Sequence, residues 1–155
     1  MTVTVAGAPA AGRVASWTRS LLGRRRAGLS VLLCGDARMK RLNRAWRGLD
    51  RPTDVLSFPA EQQAYPRSPK ATRLPRRQPP YLGDLVIDVP YAARQARRLG
   101  HALTRELQVL LAHGVLHLLG HDHENDDGTM FRLQRRWVRR AFGPGPDGVP
   151  EPEGS

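Results

Sequence analysis

The chain has 155 residues, a formal charge of +11 and one cysteine, which bounds it to about one domain and excludes a fold held by intramolecular disulfides. Its start, MTVTVAGAPAAG, has neither a basic n-region nor a long apolar run, so neither a signal peptide nor a membrane span is expected and the cytoplasm is the default location. Arginine carries the basicity, Lys40 and Lys70 being the only lysines; with Asp147, Glu151 and Glu153 the only charges of residues 143–155, residues 1–142 hold +14. That balance favours a polyanionic partner through counterion release, although an arginine-rich chain with solvated faces accounts for it equally well.

In chain order, TVTVA (2–6) alternates β-branched and small residues as a strand does, and RVASWTRSLLGRRR (13–26) places Val14, Trp17, Leu21 and Leu22 at helical spacing. GLSVLLCG (28–35) reads as a buried strand, with Cys34 a buried, inert thiol. Asp36 suits the N-cap of ARMKRLNRAW (37–46), whose Met39, Leu42 and Trp46 share one stripe. Pro52 stops the helix and DVLSF (54–58) restarts strand. Residues 59–82 carry prolines and a net +4 with one glutamate, the composition of a loop insertion without a fold of its own.

GDLVIDV (83–89) is a further strand, and Pro90 sits at the first turn of YAARQARRLG (91–100). Asp54 and Asp84 precede strands and are expected in local turn bonds. His101 reads as a surface residue, and Thr104 as the cap of a long helix through Leu119. Glu106, two turns before His113, is either a first-turn glutamate or an orienting partner for an imidazole. The last helix, DDGTMFRLQRRWVRRAF (126–142), turns Met130, Trp137 and Ala141 inward, and an acidic tail follows at 143–155. The expectation is an α+β domain over residues 1–142 with four strands and about five helices.

HGVLHLLGHDH, residues 113–123, carries the chemistry. His113 and His117 are four apart on one helix, so they project from the same face. Gly120 stands where a left-handed cap would end that helix and return His123, with His121 its competitor, towards the pair. Three neutral imidazoles with an open fourth position describe a catalytic zinc site, where water ionises near a pKa of about 7. The spacing is that of the metzincin signature H-E-x-x-H-x-x-G-x-x-H, but position 114 is glycine. The general base of those peptidases is absent, which argues against peptide hydrolysis.

HGVLHLLGHDH also follows, without a gap, the hallmark H-G-x-L-H-L-x-G-[YH]-D-H of the YbeY family. LNRAWRGLDRPTDVLSFP (42–59) and LGDLVID (82–88) are similar to two further family segments. The resemblance implies a zincin-like α+β fold with a mixed four-stranded sheet. It implies one zinc ion per chain on His113, His117 and His123, with Arg47 as the family's functional arginine. It implies an endoribonuclease that cleaves single-stranded RNA in 16S rRNA 3′-end maturation and ribosome quality control, in contact with the small ribosomal subunit. His121 stands where many members have tyrosine, and the insertion at 59–82 is longer than the family connection.

Phosphodiester cleavage needs an activated nucleophile and positive charge at the phosphate; zinc can supply the first and Arg47 the fork of donors for the second. The competing readings are another zinc hydrolase, such as a peptidase or amidase, and a ribosome assembly factor with structural zinc. The chain has nine aromatic residues, several at core-like helix positions, so RNA recognition is expected to lean on phosphates rather than on a stacking platform.

Overall fold

The computed structural model describes residues 2–7, 11–60, 81–122 and 127–144. The elements run β1 (Thr2–Ala6), α1 (Ala11–Leu22), β2 (Gly28–Cys34), α2 (Asp36–Arg47), β3 (Val55–Pro59), β4 (Tyr81–Asp88), α3 (Val89–Leu99), α4 (Leu103–Leu118) and α5 (Thr129–Phe142). The sheet has the order β1-β2-β4-β3. β1, β2 and β4 are parallel, and β3 runs antiparallel to β4 at the edge. The α+β expectation and its five helices are borne out.

Alternation along the strands builds two unequal faces. Leu29, Val31, Leu33, Val55, Leu85 and Ile87 join the main core, where α1, α4 and α5 pack. Leu56 and Val86 point the other way and meet only Met39, with Leu32, Cys34, Leu42 and Phe58 around them. α2 therefore covers one face and the histidine-bearing helix the other. α4 is buried from Glu106 to Leu116, as expected of a helix walled in by its neighbours.

Two glycines are set by close approach. Gly83 has φ 138° and lies within the register shift where β4 bulges against β2; a Cβ there would meet the Phe58 carbonyl oxygen at 2.2 Å. Gly114 faces the sheet, and a Cβ there would meet Leu85 Cδ2 at 2.7 Å. Leu85 is wholly buried, so any side chain at 114 would have to displace it for α4 to lie this near β4.

Several sequence expectations change. The N-cap of α2 is Gly35 rather than Asp36; Asp36, one residue in, makes a two-pronged ion pair with Arg94 of α3 at 2.8 and 3.0 Å. Ala102 precedes α4, and no side chain caps it, so Thr104 does not play that part. Asp84 lies within β4, not in a turn, and takes a hydrogen bond from the Tyr81 hydroxyl. Cys34 is half-buried rather than buried, and burial followed by the nearby Asp88 carboxylate pushes its thiol up to about 11, which keeps it inert. Trp46 continues the stripe of Met39 and Leu42 but is 64% exposed, because the stripe outruns the sheet at its edge. The strands also extend into both ends of the expected insertion: Pro59 pairs with Gly83 and Ala60 N donates to Leu82 O. The rest of that segment, 61–80, and the tail from 145 lie outside the described residues.

Candidate metal centre

The centre is built on the C-terminal half of α4. One helical turn apart, His113 and His117 bring their Nε2 atoms to 3.1 Å, with ring centroids 4.6 Å apart. His113 is wholly buried, beside the Phe131 ring of α5. Its Nδ1 lies 2.8 Å from the side-chain oxygen of Gln134. A carbonyl oxygen only accepts, so the hydrogen resides on Nδ1 and the Nε2 lone pair points at His117. Gln134 thereby fixes the tautomer that a metal ligand requires.

Two imidazole nitrogens this close share either a proton, one ring donating to the other, or a cation. Tetrahedral ligands at about 2.0–2.1 Å from zinc stand about 3.3–3.4 Å from one another. The 3.1 Å spacing of the two Nε2 atoms fits that geometry closely, and the donor set suits zinc.

After Leu118 the helix ends as the glycine predicts. Gly120 has φ 100°, its N–H donates to His117 O, and His121 N donates to Leu116 O. This is the Schellman pattern, and it reverses the chain after one left-handed residue. His123, the expected third ligand, lies outside the described residues. Among the described residues no third His, Cys, Asp or Glu joins the pair.

Arg47 is the last residue of α2, fully on the surface, and Gly48 follows with φ 70° to end the helix. It belongs to α2, which covers the face of the sheet opposite to α4. The following loop is anchored beneath it, since Asn43 Nδ2 donates to Arg51 O at 2.8 Å. The structure thus unites His113 and His117 and places Arg47 at the end of the helix on the opposite face of the sheet.

Gln134 was missed by sequence reasoning, although a signal existed. It stands between Met130 and Trp137 on the inward stripe of α5, and it is buried, so a polar side chain there must have a partner. A second buried constellation corrects the reading of His101 and adds to those of Asp54 and Glu106, the latter in the first turn of α4. His101 is not a surface residue: its ring pairs with the Glu106 carboxylate, both side chains being at most 3% exposed. Gln95 Nε2 donates to Glu106 at 2.7 Å and to Asp54 at 3.0 Å. Asp54 does take the local bond expected of a turn, from Val55 N at 2.7 Å, but it is wholly buried and belongs to this network. Glu106 is thus engaged at the N-terminal end of α4 with His101 and Gln95.

A profile of the endoribonuclease YbeY family matches residues 12–141. Over 111 residues the chain is 45% identical to the endoribonuclease YbeY of Solibacter usitatus, covering 72% of this chain and 64% of that protein. Over 108 residues it is 48% identical to the endoribonuclease YbeY of Moorella thermoacetica, covering 66% of this chain and 64% of that one. The chain therefore spans a little under two-thirds of the length of these curated relatives. The solution structure of a Thermotoga maritima protein superposes with a TM-score of 0.58 at 26% identity, over 92% of this chain and 90% of that one. No helix among the described residues is long and apolar enough to cross a membrane. By a profile that spans β2, β3 and β4, the histidine helix and most of α5, the chain belongs to the YbeY family.

Proposed function

We propose that this protein is a zinc-dependent endoribonuclease of the cytoplasm that cleaves single-stranded RNA during 16S rRNA 3′-end maturation, in contact with the small ribosomal subunit. The observation that carries the reading is the 3.1 Å approach of the His113 and His117 Nε2 atoms with Gln134 holding the tautomer. His113, His117 and His123 are the zinc ligands, one ion per chain, in a zincin-like arrangement. The Gly120 reversal supports His123 over His121, because the His121 backbone is still tied to the last turn of α4. A zinc ion in such a site supplies Lewis acidity towards a phosphoryl oxygen and acidifies water.

The chain's own residues do the rest. Gln134 accepts the Nδ1 hydrogen of His113 and so leaves its Nε2 lone pair for the metal. Arg47, exposed at the end of a helix that lacks any other acidic residue than Asp36, holds non-bridging phosphate oxygens through its planar fork. A basic domain draws the polyanion in and makes binding fall with salt, with a log–log slope of about 0.7 per neutralised phosphate on a single strand. Position 114 weighs against peptide hydrolysis on steric grounds as well as chemical ones. A glutamate there would begin with a Cβ 2.7 Å from Leu85 Cδ2, so it would require the Leu85 side chain to shift.

Metal analysis paired with cleavage of a single-stranded RNA and its matched duplex, with and without chelator, tests the reading. The expected result is stoichiometric zinc, cutting of the single strand, poor cutting of the duplex and loss of both metal and cutting with chelator. Arg47→Ala should keep zinc and fold and lose about 10²-fold or more in cleavage, the scale of one preorganised donor. Zinc-free protein that cuts normally would overturn the proposal.

A further inference from the structure

Trp46 is a large apolar side chain with 64% of its surface in water, yet it is held in place. Its ring meets Phe58 of the edge strand β3 edge-on, with centroids 5.4 Å apart and planes at 66°. Phe58 in turn packs on the small second core of Met39, Leu56 and Val86. An edge-on contact steadies an indole while leaving ring face open. Exposing it gains nothing for the fold, whose stripe on α2 is already served by Met39 and Leu42.

The surroundings specify the chemistry of what would cover it. Arg41, Arg44, Arg47 and Arg51 are exposed on α2 and the loop after it, and none of them is ion-paired among the described residues. The acidic residue of α2, Asp36, is at the far end and is engaged with Arg94. An open aromatic face beside unpaired guanidinium groups is the pairing by which proteins hold single-stranded nucleic acid, with the base on the ring and the phosphates on the cations. An acidic protein would use the cations but not the ring, and an apolar one the reverse.

We propose that Trp46 is a stacking platform for one unpaired base of the RNA strand whose phosphate Arg47 holds. This rests on the endoribonuclease reading for the role of Arg47, and it gives a recognition role to the neighbouring residue. The base sits on the indole at the edge of β3, and the backbone continues past that edge towards the face on which α4 carries the histidines. The platform selects against duplex, since paired bases have no free ring face to offer, and it reads stacking strength rather than base identity.

The test uses the full chain and a short single-stranded RNA, the same RNA with abasic sites, and its duplex. Trp46→Ala is expected to weaken single-strand binding by about 5- to 150-fold, the range of one base–aromatic stack. Trp46→Phe should restore most of it, and the abasic strand should bind the wild type as weakly as the intact strand binds Trp46→Ala. Titrating RNA should quench the tryptophan emission of wild type but not of Trp46→Phe, because Trp137 is buried and Trp17 is partly buried against the main core. Equal affinity of wild type and Trp46→Ala for the intact strand, or no binding of that strand by either, overturns the proposal and leaves the indole to a protein contact. Cleavage of the same RNA separates the two claims: Trp46-dependent binding without any cutting sinks the nuclease reading alone, and cutting with Trp46-independent binding sinks the platform alone.

Discussion

The two ends of α4 each bury a histidine, and they do so to opposite effect. At the N-terminal end His101 meets a carboxylate, Glu106, and Glu106 meets Gln95, which meets Asp54. Arg98 approaches the same glutamine at 3.4 Å. Each donor there has an acceptor, so the network braces α3, α4 and the start of β3 and needs no further ligand. At the C-terminal end His113 meets another imidazole, His117, and Gln134 takes the Nδ1 hydrogen. In the proposed site that pair would receive its positive charge from the metal. Both ends bury a histidine side chain, and what differs is the chemistry of the neighbour: a carboxylate for His101 and a second imidazole for His113.

The sharpest way to break this comparison is at His117. His117→Ala removes one of the two converging lone pairs and is expected to abolish stoichiometric zinc and RNA cleavage in a folded protein. Elemental analysis that finds undiminished zinc in the variant would place the metal elsewhere.

The brace should answer differently. Glu106→Ala leaves His101 and Gln95 buried without their acceptor, and about 3 kcal/mol or more of stability should be lost, the scale for breaking a buried pair by one partner. Zinc per folded molecule should stay at the wild-type ratio. If denaturant titration showed no loss while zinc fell, the two ends would have to exchange roles.

Gln134→Ala tests the joint between the histidine pair and α5. With the tautomer no longer held, zinc affinity should fall by about 10- to 100-fold, while Gln134→Glu, which still accepts from Nδ1, should retain most of it. Competition with a chromophoric chelator reads this directly, and an affinity unchanged in Gln134→Ala would reduce the contact to packing.

The smallest effect belongs to Asp88, whose N–H donates to Asp54 O and so adjoins the brace. Burial first, and then the neighbouring Asp36 carboxylate, push its carboxyl up to about 7. A raised acid binds its proton in the folded state over a range where the unfolded chain has released it. Its contribution to stability is complete below the ordinary carboxyl range near 3.8 and is lost as the pH rises through about 7. Asp36, held below the ordinary range by Arg94, has the opposite sign: its contribution is lost as the pH falls. Asp88→Asn keeps the bond that caps α3 from Tyr91 N and removes the titration. The variant should gain on wild type between pH 5 and pH 8 by a few degrees in Tm, on a scale of about 2–4 °C per kcal/mol. Parallel melting curves across that range would show that Asp88 ionises as an ordinary aspartate.

Periodicity and turn chemistry carried the element order, because those signals are local: alternation in VLSF, the i, i+4 pair of His113 and His117, and a glycine at 120 whose φ of 100° no bulky residue adopts readily. Family membership was equally legible, since it rests on contiguous residues. The caps were less so. Asp36 and Thr104 are good capping residues by type, but Asp36 found a stronger partner in Arg94, brought from α3 by the fold, and α4 begins two residues too early for Thr104.

What only the tertiary structure decided lies in contacts between residues far apart in the chain. His101 and Asp54 read as surface and turn because nothing local says that Glu106 and Gln95 will close over them. Gln134 reads as one more polar residue until α5 is laid against α4 and its carbonyl oxygen meets Nδ1. Trp46 reads as core from its stripe, and becomes surface because the sheet ends at β3 before the helix does. Gly114 reads as a missing base, and its cause is the Leu85 side chain beneath it. A sequence determines which groups a chain can bring to a site; which of them stay buried, paired or open to a ligand depends on packing between elements, and that is written in no single stretch of it.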